Sequence, residues 1–305
     1  MTEARCVTVF GGSGFVGQYI VRRMVAEGWQ VRSFSRTPGR ADDGAGQITG
    51  NIRDEDAVCN AVEGVTAVVN LVAVLNSVGT QSFEELHVAA AERVAKAAAA
   101  AGVARFVHMS SIGSCPDAAS EYSRTKGRGQ EAVLQHFPAA MILRPSLIFG
   151  AEDDLFNRFA AMARFSPALP ILGGNTRFQP VYVDDVAAAA CMGITGAARP
   201  GVYELGGPDI ETLTQLMHRM LQGIGWRRRV INLPFPVGLL LAGGLDFLQI
   251  LTGGAFENRL VTRDQIATMK SDNVATPGTK GLADLGITPT PMADILPGYL
   301  NAYSS

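Results

Sequence analysis

The 305-residue sequence predicts an α/β protein, a doubly wound parallel sheet followed by a smaller, mixed C-terminal unit. Three observations point there. Glycines 11, 12, 14 and 17 sit between a β-rich run (Val7, Val9, Phe10) and a stretch whose apolar residues Ile20, Val21, Met24 and Val25 recur at helical spacing. Short apolar runs then alternate with helical patterns to about residue 200, the rhythm of a parallel sheet covered on both faces. From about Gly201 that rhythm lapses into short strands, helices and turns. A hydrophobic fraction of 47% is ample to fill a core of this size.

The first element, VTVFGGSGFVGQYIVRRM (7–24), reads strand, turn, helix. Glycines in that position permit a tight turn, a close backbone approach to a pyrophosphate and close helix–strand packing. The free N–H groups of the helix's first turn then face the anion. The order makes the sheet Rossmann-type and marks Gly11, Gly12, Ser13, Gly14, Phe15, Val16 and Gly17 as cofactor-binding. Residues 29–36 read as a second strand, 46–64 as a short strand entering an amphipathic helix, and 66–74 as a buried strand. The alanine-rich stretch 82–103 reads as a helix ended by Gly102. Residues 104–111 and 139–146 are short strands flanking a helix that starts near Tyr122. Residues 151–174 read as a helix and a Pro/Gly-rich loop, and 179–194 as strand then helix. The expected division is a nucleotide-binding domain over 1–150, with 177–200 returning to it, and a smaller substrate-like or docking domain from 151–176 and 201–305.

Charge and cysteine content narrow the function classes. Twenty-six Lys and Arg against 28 Asp and Glu give a net charge of -2, so no global field draws the chain to nucleic acid. Cys6, Cys59, Cys115 and Cys191 lack metal or redox spacing, which suits reduced thiols in a cytosol-like compartment. The first strand begins near Arg5, so no secretory signal is expected ahead of it.

Where an NAD site usually carries an acidic residue to hold the ribose, the second strand ends in Ser35 and Arg36. An arginine there would neutralise a 2'-phosphate, with Arg40 assisting, which points to NADP(H) rather than NAD; the alternative is a solvated loop arginine. Further on, YSRTK (122–126) sets Tyr122 and Lys126 on one face of a helix. A nearby ammonium would lower the tyrosine pKa and let Tyr122 exchange a proton with a carbonyl oxygen, helped by the strand-end Ser110 and Ser111.

GGSGFVG, HMSS, YSRTK and LRPSLIFG (143–150) together resemble the extended short-chain dehydrogenase/reductase superfamily over most of residues 5–200. The resemblance implies a catalytic set of Ser111, Tyr122 and Lys126, with Lys126 also on the nicotinamide ribose and Pro145 beside the nicotinamide. It further implies cofactor contacts from Asn51, Ile52, Leu71, Val72, Ala73 and Ser110. Two positions depart from the pattern: Asn51 replaces an aspartate that often contacts adenine, and His87 stands where an asparagine is common. The second departure puts the proton relay of active members in doubt. His87 is equally readable as a buried helix residue satisfied by backbone.

Residues 142–187, with GVYELGGP (201–208), are similar to one branch of that superfamily. It contains the nucleotide-binding accessory subunit of respiratory complex I, NADH:ubiquinone oxidoreductase, and its bacterial relatives. The resemblance implies a structurally held NADPH, peripheral-arm partners, and a place on the cytoplasmic face of a bacterial inner membrane or the matrix face of a mitochondrial one. Independently, residues 226–256 join Trp226, Arg227, Arg228 and Arg229 to a leucine-rich run too interrupted to span a bilayer. Such a segment suits a membrane surface or a partner groove, or else a core helix with an exposed arginine turn. Three functions stay open: a cofactor-bound complex I subunit, an active NADP-dependent reductase or epimerase acting on a hydrophobic carbonyl, and an NADP(H)-binding redox sensor.

Overall fold

The structure, a computed structural model, describes residues 5–37, 44–77, 79, 81–251 and 262–304, with backbone alone for 245–251. Arg40 and residues 252–256 of the apolar segment lie outside the described residues. The strands run β1 (Cys6–Phe10), β2 (Gln30–Ser35), β3 (Gly46–Thr49), β4 (Ala67–Asn70), β5 (Arg105–Met109), β6 (Met141–Pro145), β7 (Ile148–Phe149), β8 (Ala168–Leu172), β9 (Arg177–Phe178), β10 (Val181–Tyr182), β11 (Gly201–Leu205), β12 (Glu211–Thr212) and β13 (Arg229–Leu233). Seven of them form one parallel sheet in the order β11-β6-β5-β4-β1-β2-β3. From β1 the chain builds outward through β2 and β3, then returns to place β4, β5 and β6 on the other side. The connections therefore diverge between β1 and β4, which opens a crevice at their carboxyl ends.

Helices α1 (Phe15–Ala26), α2 (Glu55–Val62), α3 (Ala90–Ala100), α4 (Glu121–His136), α5 (Asp154–Phe165) and α6 (Val183–Thr195) follow the strands in turn. One face of the sheet is buried under α1 and α6 through Ile20, Met24, Val186 and Ile194. The other face lies under α2, α3 and α4, through Val58, Val94 and Val133. Both faces being covered, β1 and β4 are buried along their whole lengths.

The smaller unit has its own core of Phe156, Phe159, Leu169, Leu216, Met220 and Leu296. It is built from α5, α7 (Leu213–Gly223) and α10 (Met292–Leu300), beside the two-stranded β8/β13 ribbon. Helix α8 (Phe235–Leu251) and α9 (Arg263–Thr268) complete it. No described helix is long and apolar enough to cross a membrane.

Three local features differ from the sequence expectation. Residues 168–172 form a strand where a loop was expected; β8 pairs with β13 alone, so Pro170 costs the sheet no interior hydrogen bond. Strand β11, within the stretch assigned to the smaller unit, is the edge strand of the large sheet, paired with β6. Finally, the helix expected over 82–103 begins with a π-helical turn, Glu84–Ala89, before becoming regular.

Candidate nucleotide and catalytic site

The β1–α1 turn is shaped by glycine. Gly11 has φ +84, a conformation that favours glycine. A Cβ on Gly12 would lie 2.5 Å from Ser33 Oγ, and one on Gly17 would collide with Gly11 O and come within 2.7 Å of Gly12 Cα. The turn therefore presses against β2 while α1 packs onto the turn. Gly14 caps α1 with no side-chain acceptor, and no acidic residue lies in the first turn. That leaves the helix's N-terminal N–H groups free for an external anion.

Above these groups opens a cleft of about 460 Å³ lined by Gly11, Ser13, Gly14, Ser35, Arg36, Asn51, Ile52, Leu71, Val72 and Ala73. All ten were expected from the sequence as cofactor-binding. Phe34, Gly50 and Gln81 also line it and were missed. Gly50 lies against the Phe34 ring, where a Cβ would come within 2.6 Å, a contact across neighbouring strands that residue order does not announce. Gly12 and Gly17 shape the turn and Phe15 and Val16 begin α1; none of the four lines the cleft, and Ser110, Tyr122, Lys126 and Pro145 also lie outside its lining. Ser35 donates to Thr37 O at 2.6 Å. Arg36 is exposed, and no described residue pairs with it.

At the ends of β5 and β6 the second group of residues comes together. Ser110 Oγ is the one buried side-chain polar atom without a hydrogen-bond partner among the described residues. An orphaned buried hydroxyl costs about 1–3 kcal/mol, so its place suits a ligand's polar group. The glycine cradle and the uncapped helix terminus fit a dinucleotide pyrophosphate.

Tyr122 and Lys126 sit one turn apart on α4, whose Ser120 cap accepts from the Ser123 N–H. The Tyr122 hydroxyl faces Ser111, whose Oγ lies 2.8 Å from Ser114 Oγ. Burial raises the Tyr122 pKa, and the Ser111 contact offsets only part of that. Lys126 is buried and donates from Nζ to Met109 O at 2.5 Å. Desolvation lowers its pKa to about 8. The expected lowering of the tyrosine by its neighbouring ammonium is thus not what this geometry gives, because the ammonium is anchored on the strand.

His87 lies in the π-helical turn, a device common at functional sites. Its ring stacks on Phe83 at 5.2 Å and meets Tyr122 edge-on at 5.4 Å. The Thr125 hydroxyl donates to Glu121 O at 2.8 Å, so His87 Nδ1 donates to that hydroxyl at 2.9 Å. Nε2 lies 3.2 Å from the Val74 N and 3.1 Å from the Val74 carbonyl oxygen. Burial first, and the Lys126 charge second, push its pKa down to about 3. A neutral imidazole tied at both nitrogens fastens α4 to the loop after β4; it does not shuttle protons near neutrality.

Residues after α8 close over these strand ends. Asp264 accepts from the Glu121 N–H at 2.5 Å and the Tyr122 N–H at 3.0 Å, capping α4 from outside. Gln265 donates to Asn76 Oδ1 at 3.0 Å. Asn273 accepts from Ser146 Oγ at 2.7 Å and donates to Ile112 O at 3.3 Å.

Residues 7–206, two thirds of the chain and every element just described up to β11, match the NAD dependent epimerase/dehydratase family. The chain belongs to that family. Among its relatives, the Arabidopsis thaliana protein named NADH dehydrogenase (ubiquinone) 1 alpha subcomplex subunit 9, mitochondrial, is 32% identical over 92% of this chain and 74% of its own length. A Caulobacter vibrioides ceramide reductase is 31% identical over 80% of this chain and 78% of its own length. The solved structure of MoeE5 with UDP-glucuronic acid and NAD superposes with a TM-score of 0.73 at 18% identity, covering 97% of this chain and 98% of that one. This last likeness is one of fold.

Proposed function

We propose that the chain is an NADPH-holding accessory subunit of respiratory complex I, in which the nucleotide stabilises the larger unit and the C-terminal unit docks near the membrane. The carrying observation is the match to the Arabidopsis complex I subunit, which runs through the C-terminal unit as well as the nucleotide-binding one. NADPH rather than NADH is supported by Arg36 at the end of β2, where no carboxylate stands. A ligand bound only to the native state and present at a thousandfold over its Kd adds about 4 kcal/mol of stability, so a nucleotide can serve the fold without turnover. The proposed partners are peripheral-arm subunits, on the cytoplasmic face of a bacterial inner membrane or the matrix face of a mitochondrial one. Purification of the tagged chain from detergent-solubilised native membranes tests this: complex I subunits should co-purify with NADPH in the eluate, and their absence sinks the proposal.

A second function is favoured by one specific observation, the assembled Ser111, Tyr122 and Lys126 beside the orphaned Ser110 hydroxyl. These would serve an NADP-dependent reductase for a hydrophobic carbonyl compound, and the ceramide reductase relative is consistent with it. A bound dinucleotide would supply the hydride. Tyr122 would give its proton to the carbonyl oxygen, and Ser111 would hold that oxygen. Tyr122→Phe should then abolish carbonyl-dependent NADPH oxidation while leaving NADPH bound; wild-type protein inert across long-chain carbonyl compounds removes this function.

A further inference from the structure

A second cleft, about 700 Å³, lies on the smaller unit and shares no residue with the nucleotide cleft. Arg227, Arg228, Arg229 and His218 bring positive or protonatable groups to it, Trp226 and Ile231 apolar surface. Arg228 is fixed in place: its guanidinium lies 4.1 Å over the Trp226 ring, and Nε donates to Ala163 O at 2.8 Å. The Trp226 ring is itself held by a hydrogen bond from Nε1 to Tyr303 O at 2.9 Å. No described residue accepts a hydrogen bond from the two terminal nitrogens of Arg228, a planar fork suited to phosphate oxygens. Arg227 and Arg229 are exposed, and no described carboxylate pairs with any of the three.

What adjoins the cleft narrows the ligand. Arg229 and Ile231 alternate along β13 onto its outward face, and Ile231 is 45% exposed. Helix α8 packs against the end of the same ribbon, where Gly238 lies close to Leu172. Its first two turns leave Val237, Leu239, Leu240 and Leu241 exposed, Leu240 at 78%. Beside the Ala163–Arg228 clamp, Phe165 is 88% exposed. A free phosphate or a nucleic acid has no use for such an apolar border, and a purely apolar partner has none for three arginines that no described carboxylate neutralises.

We propose that this cleft binds the phosphodiester headgroup of an anionic phospholipid, with the three arginines on the phosphate and Ile231, Phe165 and the exposed α8 side chains entering the acyl region. This deepens the docking part of the function proposed above, and it is measured without complex I, so the failure of either leaves the other standing. The full chain is floated with vesicles of phosphatidylcholine alone and of phosphatidylcholine mixed with phosphatidylglycerol, and its binding of sn-glycerol 3-phosphate is measured in solution. Each basic side chain near an anionic surface contributes about fivefold to partition, so R227Q/R229Q should bind the mixed vesicles roughly 25-fold more weakly. L240Q should weaken vesicle binding too, while both variants keep NADPH affinity, which reports an intact fold. Equal binding to both vesicle types, or an unchanged R227Q/R229Q, overturns the headgroup site. A chain that binds glycerol 3-phosphate in solution yet floats with neither vesicle type assigns the cleft to a soluble phosphate and overturns the lipid.

Discussion

Lys126 is held charged in a place that opposes its charge, and the cost should be visible in the pH dependence of stability. Burial lowers its pKa to about 8 in the folded chain, against 10.5 when unfolded. Below pH 8 both states carry the proton and the folded state bears the full desolvation cost. As pH rises from 8 toward 10.5 the folded state sheds the proton first, so the unfolded chain binds more protons and stability rises. Between pH 7 and 9.5 the gain from this group amounts to about 2 kcal/mol. Urea denaturation of nucleotide-free wild type and Lys126→Met at both pH values isolates it, since most other titrations cancel in the difference. The wild type should gain about 2 kcal/mol on the variant over that interval. A difference that stays flat would refute the assignment of a buried, desolvated ammonium.

The other expectations are briefer. Gly17→Ala forces a methyl into the β1–α1 turn; it should cost about 1–3 kcal/mol by chemical denaturation and remove the thermal shift given by NADPH. Arg36→Ala should lower NADPH affinity by about ten- to a hundredfold in titration calorimetry, the worth of a charged hydrogen bond, while leaving NADH binding unchanged. His87 has a folded pKa of about 3 against 6.5 unfolded, so its neutral form stabilises the fold above pH 6.5 and that stability drains as pH falls toward 3. Between pH 7.5 and 5 the wild type should lose about 2 kcal/mol relative to His87→Asn, and a His87 imidazole resonance that titrates near pH 6.5 would contradict this. Asp264→Ala should cost about 0.5–2 kcal/mol by leaving the Glu121 and Tyr122 N–H groups of α4 without their acceptor, measured by thermal denaturation.

The sheet was legible because strand–helix alternation and the position of glycines are local signals. Gly17 is required by the backbone of Gly11 and Gly12 a few residues before it, so the turn could be read locally, whereas the contacts of Gly11 with Leu71 and of Gly12 with Ser33 come from distant strands. Tyr122 and Lys126 could also be read locally, since their shared helix face follows from their spacing. What escaped was set by distant partners. Strand β8 exists because β13, sixty residues on, pairs with it and tolerates Pro170 at an open edge. The direction of the Lys126 ammonium depends on a strand-end carbonyl at Met109, and the π-helical turn at His87 on its fit against Thr125 and Val74. Neither carbonyl geometry nor helix pitch has a signature in residue order.

The stitching of Asp264, Gln265 and Asn273 onto α4, the β4 loop and the ends of β5 and β6 has a practical consequence for dissecting the chain. Thr276 N–H likewise donates to the buried Glu204 on β11 at 2.7 Å. Truncation after residue 206 would strip the helix that carries Tyr122 of an external cap and leave a buried carboxylate without its amide. The two units cannot be separated with scissors at the family boundary. A functional comparison of the units is better made by single substitutions at these seams than by deletion.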